Sequence, residues 1–457
     1  MKTNNLKWWL LWVLGSTMLG GYYAYALTVG DDKRVFLPGQ TSHGHYQIEL
    51  ACDSCHGDAF AGVEALQKAC VRCHGAELKT VDDSHPKSKF TDPRNADRVA
   101  ILDARYCVTC HREHQPRITR DMAVTLPDDF CFYCHEDIAE DRQSHKDMAF
   151  DSCASAGCHN YHDNQALYED FLVKHGDAPD VSDAARVPSR DYGERYSQHA
   201  TAPVVALQVS QIDAPAQFVT PENTAQWHET AHAAAGVNCR GCHQQAQDNA
   251  QWLEKPGQAQ CQRCHDAEAD GFLAGKHGMR LAEALSPMLP ALARLPMKAD
   301  AQELQLGCTS CHDDHRFDTR EAAVDVCLGC HDDEHSRAYR TSAHYQLWQR
   351  ESAGRLAQGS GVSCATCHMP RLHQRKGGEM QVVVEHNQNL NLRPNEKMIR
   401  GVCLNCHGLA FSIDALADRE LVSNAFAGKP RVRIESVEMA LIRERKKAEE
   451  KAKDHER

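Results

Sequence analysis

Cysteine and histidine occur together in this chain in one repeated pattern. Cys-x-x-Cys-His is written ten times, at Cys52/Cys55/His56, Cys70/Cys73/His74, Cys107/Cys110/His111, Cys131/Cys134/His135, Cys239/Cys242/His243, Cys261/Cys264/His265, Cys308/Cys311/His312, Cys327/Cys330/His331, Cys364/Cys367/His368 and Cys403/Cys406/His407. An eleventh copy is stretched to Cys153-x4-Cys158-His159, and together the copies use all 22 cysteines. Two thiols three residues apart can form thioethers to the two vinyl groups of one haem, and the next residue then lies under the iron as proximal ligand. Half a zinc site, a disulfide or a redox dithiol would each account for one pair, but none of them requires the histidine that follows. With 28 histidines in 457 residues, eleven such placements by accident have odds on the order of 10⁻¹³. The expected cofactor is therefore haem c, eleven copies covalently attached. At the stretched copy a haem in a larger loop, a Cys153–Cys158 disulfide and a degenerate site all stay open.

Seventeen histidines remain outside the motifs. Three motifs continue as Cys-His-x-x-His and supply His114, His162 and His315, while His335 follows its motif one residue later. On a short helix or turn leaving a haem, such a side chain points away from its own iron toward a neighbouring one. Others precede motifs by a short span: His43 and His45, His85, His145, His232, His277, His344 and His386. Bis-histidine iron is saturated and suits electron transfer, whereas substrate chemistry needs an open sixth position. Five haems in the first half face His43 or His45, His85, His114, His145 and His162. Six in the second half face His228, His232, His277, His315, His335, His344, His373 and His386, so both halves hold enough ligands for saturation. His175, His199, His373 and His455 read as surface residues.

The elements that must position these side chains are short. Hydrophobic residues make up 42% of the chain and aromatics only 7%, a thin supply for domains of this size. One haem per about 40 residues would fill the deficit, each porphyrin being a large apolar body. The fold expected is mainly α with extensive irregular loops, a haem-stacked multihaem cytochrome c in two haem modules. Proximal histidines run at spacings of 18, 37, 24 and 24, jump by 84, then run at 22, 47, 19, 37 and 39. The jump, over residues with five prolines and no cysteine, marks a connector or extended wrap at 176–222 between a pentahaem module at 28–175 and a hexahaem module at 223–425. Helices are expected over Asp163–His175, Gly278–Leu295, Ala338–Leu356 and Ile434–Glu456. The charged C-terminal segment at 426–457 reads as a helix that is solvated or makes an oligomer contact. A formal charge of −12 and a pI near 6.1 exclude a nucleic-acid binder.

Lys2 and Lys7 precede an apolar run from Trp8 to Leu19, and Ala24-Tyr25-Ala26 has the small-x-small form of a cleavage site. Residues 1–27 read either as a cleaved export signal or as an uncleaved inner-membrane anchor using residues 8–27. Both send the remainder to the periplasm.

The first half resembles the class III, low-potential multihaem cytochromes. The resemblance covers residues 41–165 and is carried by the tight motif spacing, the Cys-x4-Cys-His copy and Ser42-His43-Gly44-His45 ahead of the first motif. The second half is similar to the hydroxylamine oxidoreductase and octahaem cytochrome superfamily. That likeness is carried by Cys327-Leu-Gly-Cys330-His331-Asp-Asp-Glu334-His335, by Tyr339 and Ser342-Ala-His344, by Gly361-Val-Ser-Cys364-Ala-Thr-Cys367-His368-Met369-Pro370-Arg371, and by His386-Asn387. A partial echo, Thr230-Ala-His232 before Gly236-Val-Asn-Cys239, suggests that this module arose by repetition. The second resemblance implies that Glu334 and His335 line a catalytic haem, with Glu standing where that family has Asp.

Two functions follow. One is a periplasmic wire that carries electrons from a quinol-linked membrane cytochrome or complex to a terminal acceptor or reductase. The other is an oxidoreductase acting on a small nitrogen or sulfur compound such as hydroxylamine, nitrite or a sulfur oxyanion, with Glu334 and His335 handling protons beside an open iron.

Overall fold

The structure is a computed structural model and describes residues 3–30, 33–57, 62–127, 129–142, 145–146, 159–163, 167–190, 193, 204–245, 248–376, 378–392 and 397–455. It is mainly helical, with short helices set in irregular loops and two small antiparallel hairpins, 244–252 and 371–384. The longer hairpin pairs Arg371 with Val384 and Lys376 with Glu379 in continuous register.

The helices are shorter than their apolar patterns suggest. The segment 278–295 forms only the single turn Met279–Ala282 and the 3-10 turn Pro290–Leu292, because Pro287 and Pro290 remove backbone donors a continuous helix would need. Ala338–Leu356 divides into Glu334–Tyr339 and Ala343–Ser352. The break falls at Ser342, whose side chain accepts from the Tyr345 amide and caps the second helix. Asp163–His175 reduces to Glu169–His175 among the described residues.

Side-chain cores are small. One gathers Leu167, Leu172, Ile399, Leu409, Ile413, Val437 and Ala440, and a second gathers Val324, Leu328, Tyr339 and Ala425. The first joins Leu167 and Leu172 to the last helices of the chain. Ser436–His455 is accordingly packed along its first turns, with Val437 and Ala440 buried, and exposed from Glu444 to Lys453. Arg443 and Lys447 both reach Glu169, at 2.8 and 3.1 Å, so the charged C-terminal helix closes on the helix Glu169–His175.

The connector runs along the last motif. Val181 bridges to His407, the Ser182 amide donates to Cys406 O and the Arg186 amide to Asn405 O. At the other end of the chain, Thr3–Thr28 is one helix with Trp8, Trp9, Trp12, Leu14 and Leu19 all exposed. Among the described residues no helix is long and apolar enough to cross a membrane.

Candidate haem sites

Each motif histidine faces one histidine from outside the motifs. Ring centroids are 6.4 Å apart for His56/His114, 5.9 Å for His74/His45, 6.3 Å for His111/His162, 6.1 Å for His135/His85 and 6.1 Å for His159/His145. In the second half they are 6.0 Å for His243/His315, 6.0 Å for His265/His232, 6.2 Å for His312/His386, 6.2 Å for His331/His277, 6.0 Å for His368/His335 and 6.2 Å for His407/His344. Two metal–imidazole bonds of roughly 2.0–2.1 Å, with about 1.1 Å from each nitrogen to its ring centre, span about 6.2 Å. One iron fits between the rings of every pair.

The space around the pairs also fits. A continuous cavity of about 5240 Å³ runs through the molecule and is lined by all the paired histidines except His407. Shared among eleven pairs that is about 480 Å³ each, within the roughly 300–1,000 Å³ of a site for one small organic molecule. The thiols of Cys52/Cys55, Cys107/Cys110 and Cys308/Cys311 stand unbridged, as thioether formation requires. Cys153 and Cys158 lie outside the described residues.

The hydrogen bonds orient the rings for coordination. Nδ1 of His85, His114, His243, His335, His386 and His407 each contacts a backbone carbonyl, respectively Tyr161 at 2.5 Å, Gly39 at 2.9 Å, Leu253 at 2.7 Å, Val422 at 2.6 Å, Val384 at 2.8 Å and Asp180 at 3.0 Å. A carbonyl only accepts, so Nδ1 carries the proton and the Nε2 lone pair is left for a metal. His45 and His162 instead point Nδ1 at carboxylates, Glu113 at 2.7 Å and Asp83 at 3.1 Å. Burial pushes His277, His312, His344 and His368 down to about 4, which keeps them neutral as ligation demands.

Local sequence explains how the outer histidines are held. Thr230 caps Ala231–Ala234 and Ser342 caps Ala343–Ser352, placing His232 and His344 second in their helices. The supports match as well. Thr230 Oγ1 donates to Trp227 O and Ser342 Oγ to Tyr339 O, while Trp227 Nε1 donates to Val237 O and the Tyr339 hydroxyl to Val362 O. Each of these valines lies two residues before the first cysteine of a motif. The Thr-Ala-His and Ser-Ala-His echo is therefore one structural unit used twice.

Numbering the motifs 1–11 along the chain, the pairing follows two rules. A histidine lying before motif n faces motif n+1: His45 faces motif 2, His85 motif 4, His232 motif 7, His277 motif 9 and His344 motif 11. A histidine lying after motif n faces motif n−2: His114 faces motif 1, His162 motif 3, His315 motif 6 and His386 motif 8. Motifs 5 and 10 would need a motif 7 or 12 in their own module, and they take His145 and His335 instead. Cysteines of successive motifs meet in the same alternation, with Cys70 beside Cys107, Cys261 beside Cys308 and Cys327 beside Cys364.

Of the other sequence candidates, His43 is exposed with its ring 5.7 Å from Tyr46, and His45 is the residue that faces motif 2. His335 occupies the same kind of pair as the other ten, and Glu334 is exposed in the first turn of its helix. Tyr339 spends its hydroxyl on Val362 O at 2.6 Å. The carboxylates Glu113 and Asp83 escaped sequence reasoning. The adjacency of Glu113 to His114 carries no signal that it serves His45.

Residues 44–136 match the cytochrome c3 family. The matched segment contains motifs 1–4 and lies within the stretch that resembles the class III cytochromes, and it supports a multihaem c-type cytochrome that transfers electrons.

Proposed function

We propose that the protein is an eleven-haem electron conduit of the periplasm, taking electrons from a quinol-linked membrane donor and delivering them to a terminal acceptor or reductase. The observation that carries this reading is that all eleven motif histidines face a second imidazole at 5.9–6.4 Å. Haem supplies a one-electron redox centre at each pair. The chain supplies two facing imidazoles at each pair, a fixed Nδ1 partner for many of them, and a largely apolar cavity around them. An iron saturated in both redox states changes little on reduction, which keeps reorganisation small. His335 is in this reading an iron ligand. The exposed apolar stretch Trp8–Leu19 supports an N-terminus that directs the chain to or across the inner membrane.

The test is an electron paramagnetic resonance spectrum of the oxidised, purified protein, with haem counted by mass. Eleven haems, low-spin signals alone and no change with hydroxylamine, nitrite or sulfite are expected. A high-spin haem that shifts with one of these ligands would overturn the reading and return Glu334 and His335 to a catalytic role. His335→Ala is the internal control, expected to create one high-spin, ligand-binding haem.

A further inference from the structure

We propose that the two modules exchange electrons through a seam between residues 41–54 and 276–294, so that the first row of sites joins the second at motif 9 rather than end to end at motif 6. The proposal rests on the electron-transfer reading above and adds the route to it.

Chain order alone would put motif 6 next to motif 5. The contacts are arranged differently. Arg294 donates to Thr41 O at 3.1 Å, Lys276 Nζ to His43 O, and Arg280 to Gln47 O at 2.9 Å, while Ser54 Oγ bonds the Glu283 carboxylate. Lys276 and Arg294 both lie over the Tyr46 ring, at 5.0 and 4.5 Å from its centroid. These residues flank ligands on both sides. Thr41 to Gln47 surround His45 of the motif 2 site, and Ser54 lies between the two cysteines of motif 1. Lys276 immediately precedes His277, which faces His331 of motif 9. Three of the bonds end on backbone carbonyls, so the side chains of Lys276, Arg280 and Arg294 grip the main chain of residues 41–47. Gln47, at its centre, is 2% exposed. Directional bonds of this kind fix the two segments against each other, and a fixed separation suits tunnelling.

Motif 6 is held elsewhere. Its hydrogen bonds run to Asp213 from Arg240, to Leu253 from His243, and from Arg263 to Gly241. The connector that leads to it in sequence runs along motif 11 at residues 180–186 before Asp213 reaches motif 6. Motifs 6–8 then form one arm beyond the junction and motifs 10–11 another, the second returning to the helix of motif 2 through the Lys397–Glu77 ion pair. The step is one electron: a ferrous iron of the first row becomes ferric, a ferric iron of the second row becomes ferrous, and no bond or proton changes.

The fully loaded protein tests this with a ruthenium photosensitiser on Lys68→Cys, an exposed position on the helix that carries motif 2; the photoexcited complex is oxidised as it delivers its electron. His277→Met and His315→Met, made separately, each raise the potential of one site and give it the long-wavelength methionine–iron absorption of the ferric state. That band should bleach in the first inter-module phase in the motif 9 variant and in a later phase in the motif 6 variant. Bleaching in the reverse order, or in the same phase, overturns the seam. An electron that never leaves the first module overturns the conduit reading itself. Should either variant mature without all its haems, the triple change Lys276→Ala, Arg280→Ala and Arg294→Ala replaces it: slowed transfer out of the first module is expected, and an unchanged rate refutes the proposal.

Discussion

Glu113 shows how one side chain can tune one site. Burial alone would raise its carboxyl, but hydrogen bonds from His45 and from the amide and hydroxyl of Ser42 outweigh that and hold it at about 2. The ionised carboxylate draws the Nδ1 proton of His45 and makes the imidazole a stronger donor through Nε2, which favours ferric iron. His232 is the opposite case, with Nδ1 buried and lacking a hydrogen-bond partner. Glu113→Gln should shift one midpoint potential upward, on the order of tens of millivolts, and leave the spin state unchanged. Spectroelectrochemical titration checks this, and a downward or absent shift would show that the carboxylate does not act on the ligand.

The elements are short because they serve as ligand holders. In Ser342-Ala-His344 the cap hydroxyl satisfies the Tyr345 amide and fixes the first turn, and His344 projects from that turn toward His407. Ser342 is fully buried, so no water can replace the lost oxygen. Ser342→Ala should cost about 1–2 kcal/mol and loosen His344, lowering the melting temperature and giving a high-spin fraction at one haem. A variant with native stability and a purely low-spin spectrum would refute the role of the cap.

Legibility in sequence divides at this scale. Thioether attachment is local chemistry, so a run of five residues marks ten of the proximal candidates, and only the stretched copy at 153–159 departs from it. The outer histidines were legible as candidates, with His43 among them and His335 read as a catalytic residue, but not by partner, since His386 faces motif 8 across 74 residues of chain, from 312 to 386. The n+1 and n−2 rules become visible only once the partners are known. Helix lengths were overread at 278–295 and 338–356, where prolines and a buried cap override the apolar pattern.

At the scale of the whole molecule, the haem sites leave little side-chain core, and the tail of the chain compensates. Val437 and Ala440, at 4% and 3% exposure, complete a cluster with Leu167 and Leu172 of the first module and with Ile399, Leu409 and Ile413 beside motif 11. Gly176 lies at this contact, where a Cβ would stand 2.9 Å from the Leu441 methyls and displace that side chain. Polar bonds to the backbone thus clamp residues 41–54, this apolar cluster clamps the other end, and the Lys397–Glu77 ion pair is a further tie between the early and late parts of the chain. The two clamps should fail differently. Val437→Asp places an unpaired carboxylate in the cluster, at a cost on the order of 3 kcal/mol, and should lower the melting temperature by several degrees without disturbing the His45 or His277 sites. Screening by salt should hardly affect that loss, because the missing term is apolar burial. Soret circular dichroism during thermal melting at low and high ionic strength measures both. If the Val437→Asp protein melts like the native one, or recovers its stability in salt, the C-terminal helix does not close the molecule. Its ion pairs with Glu169 would then be surface decoration, of the kind worth about 0–1 kcal/mol.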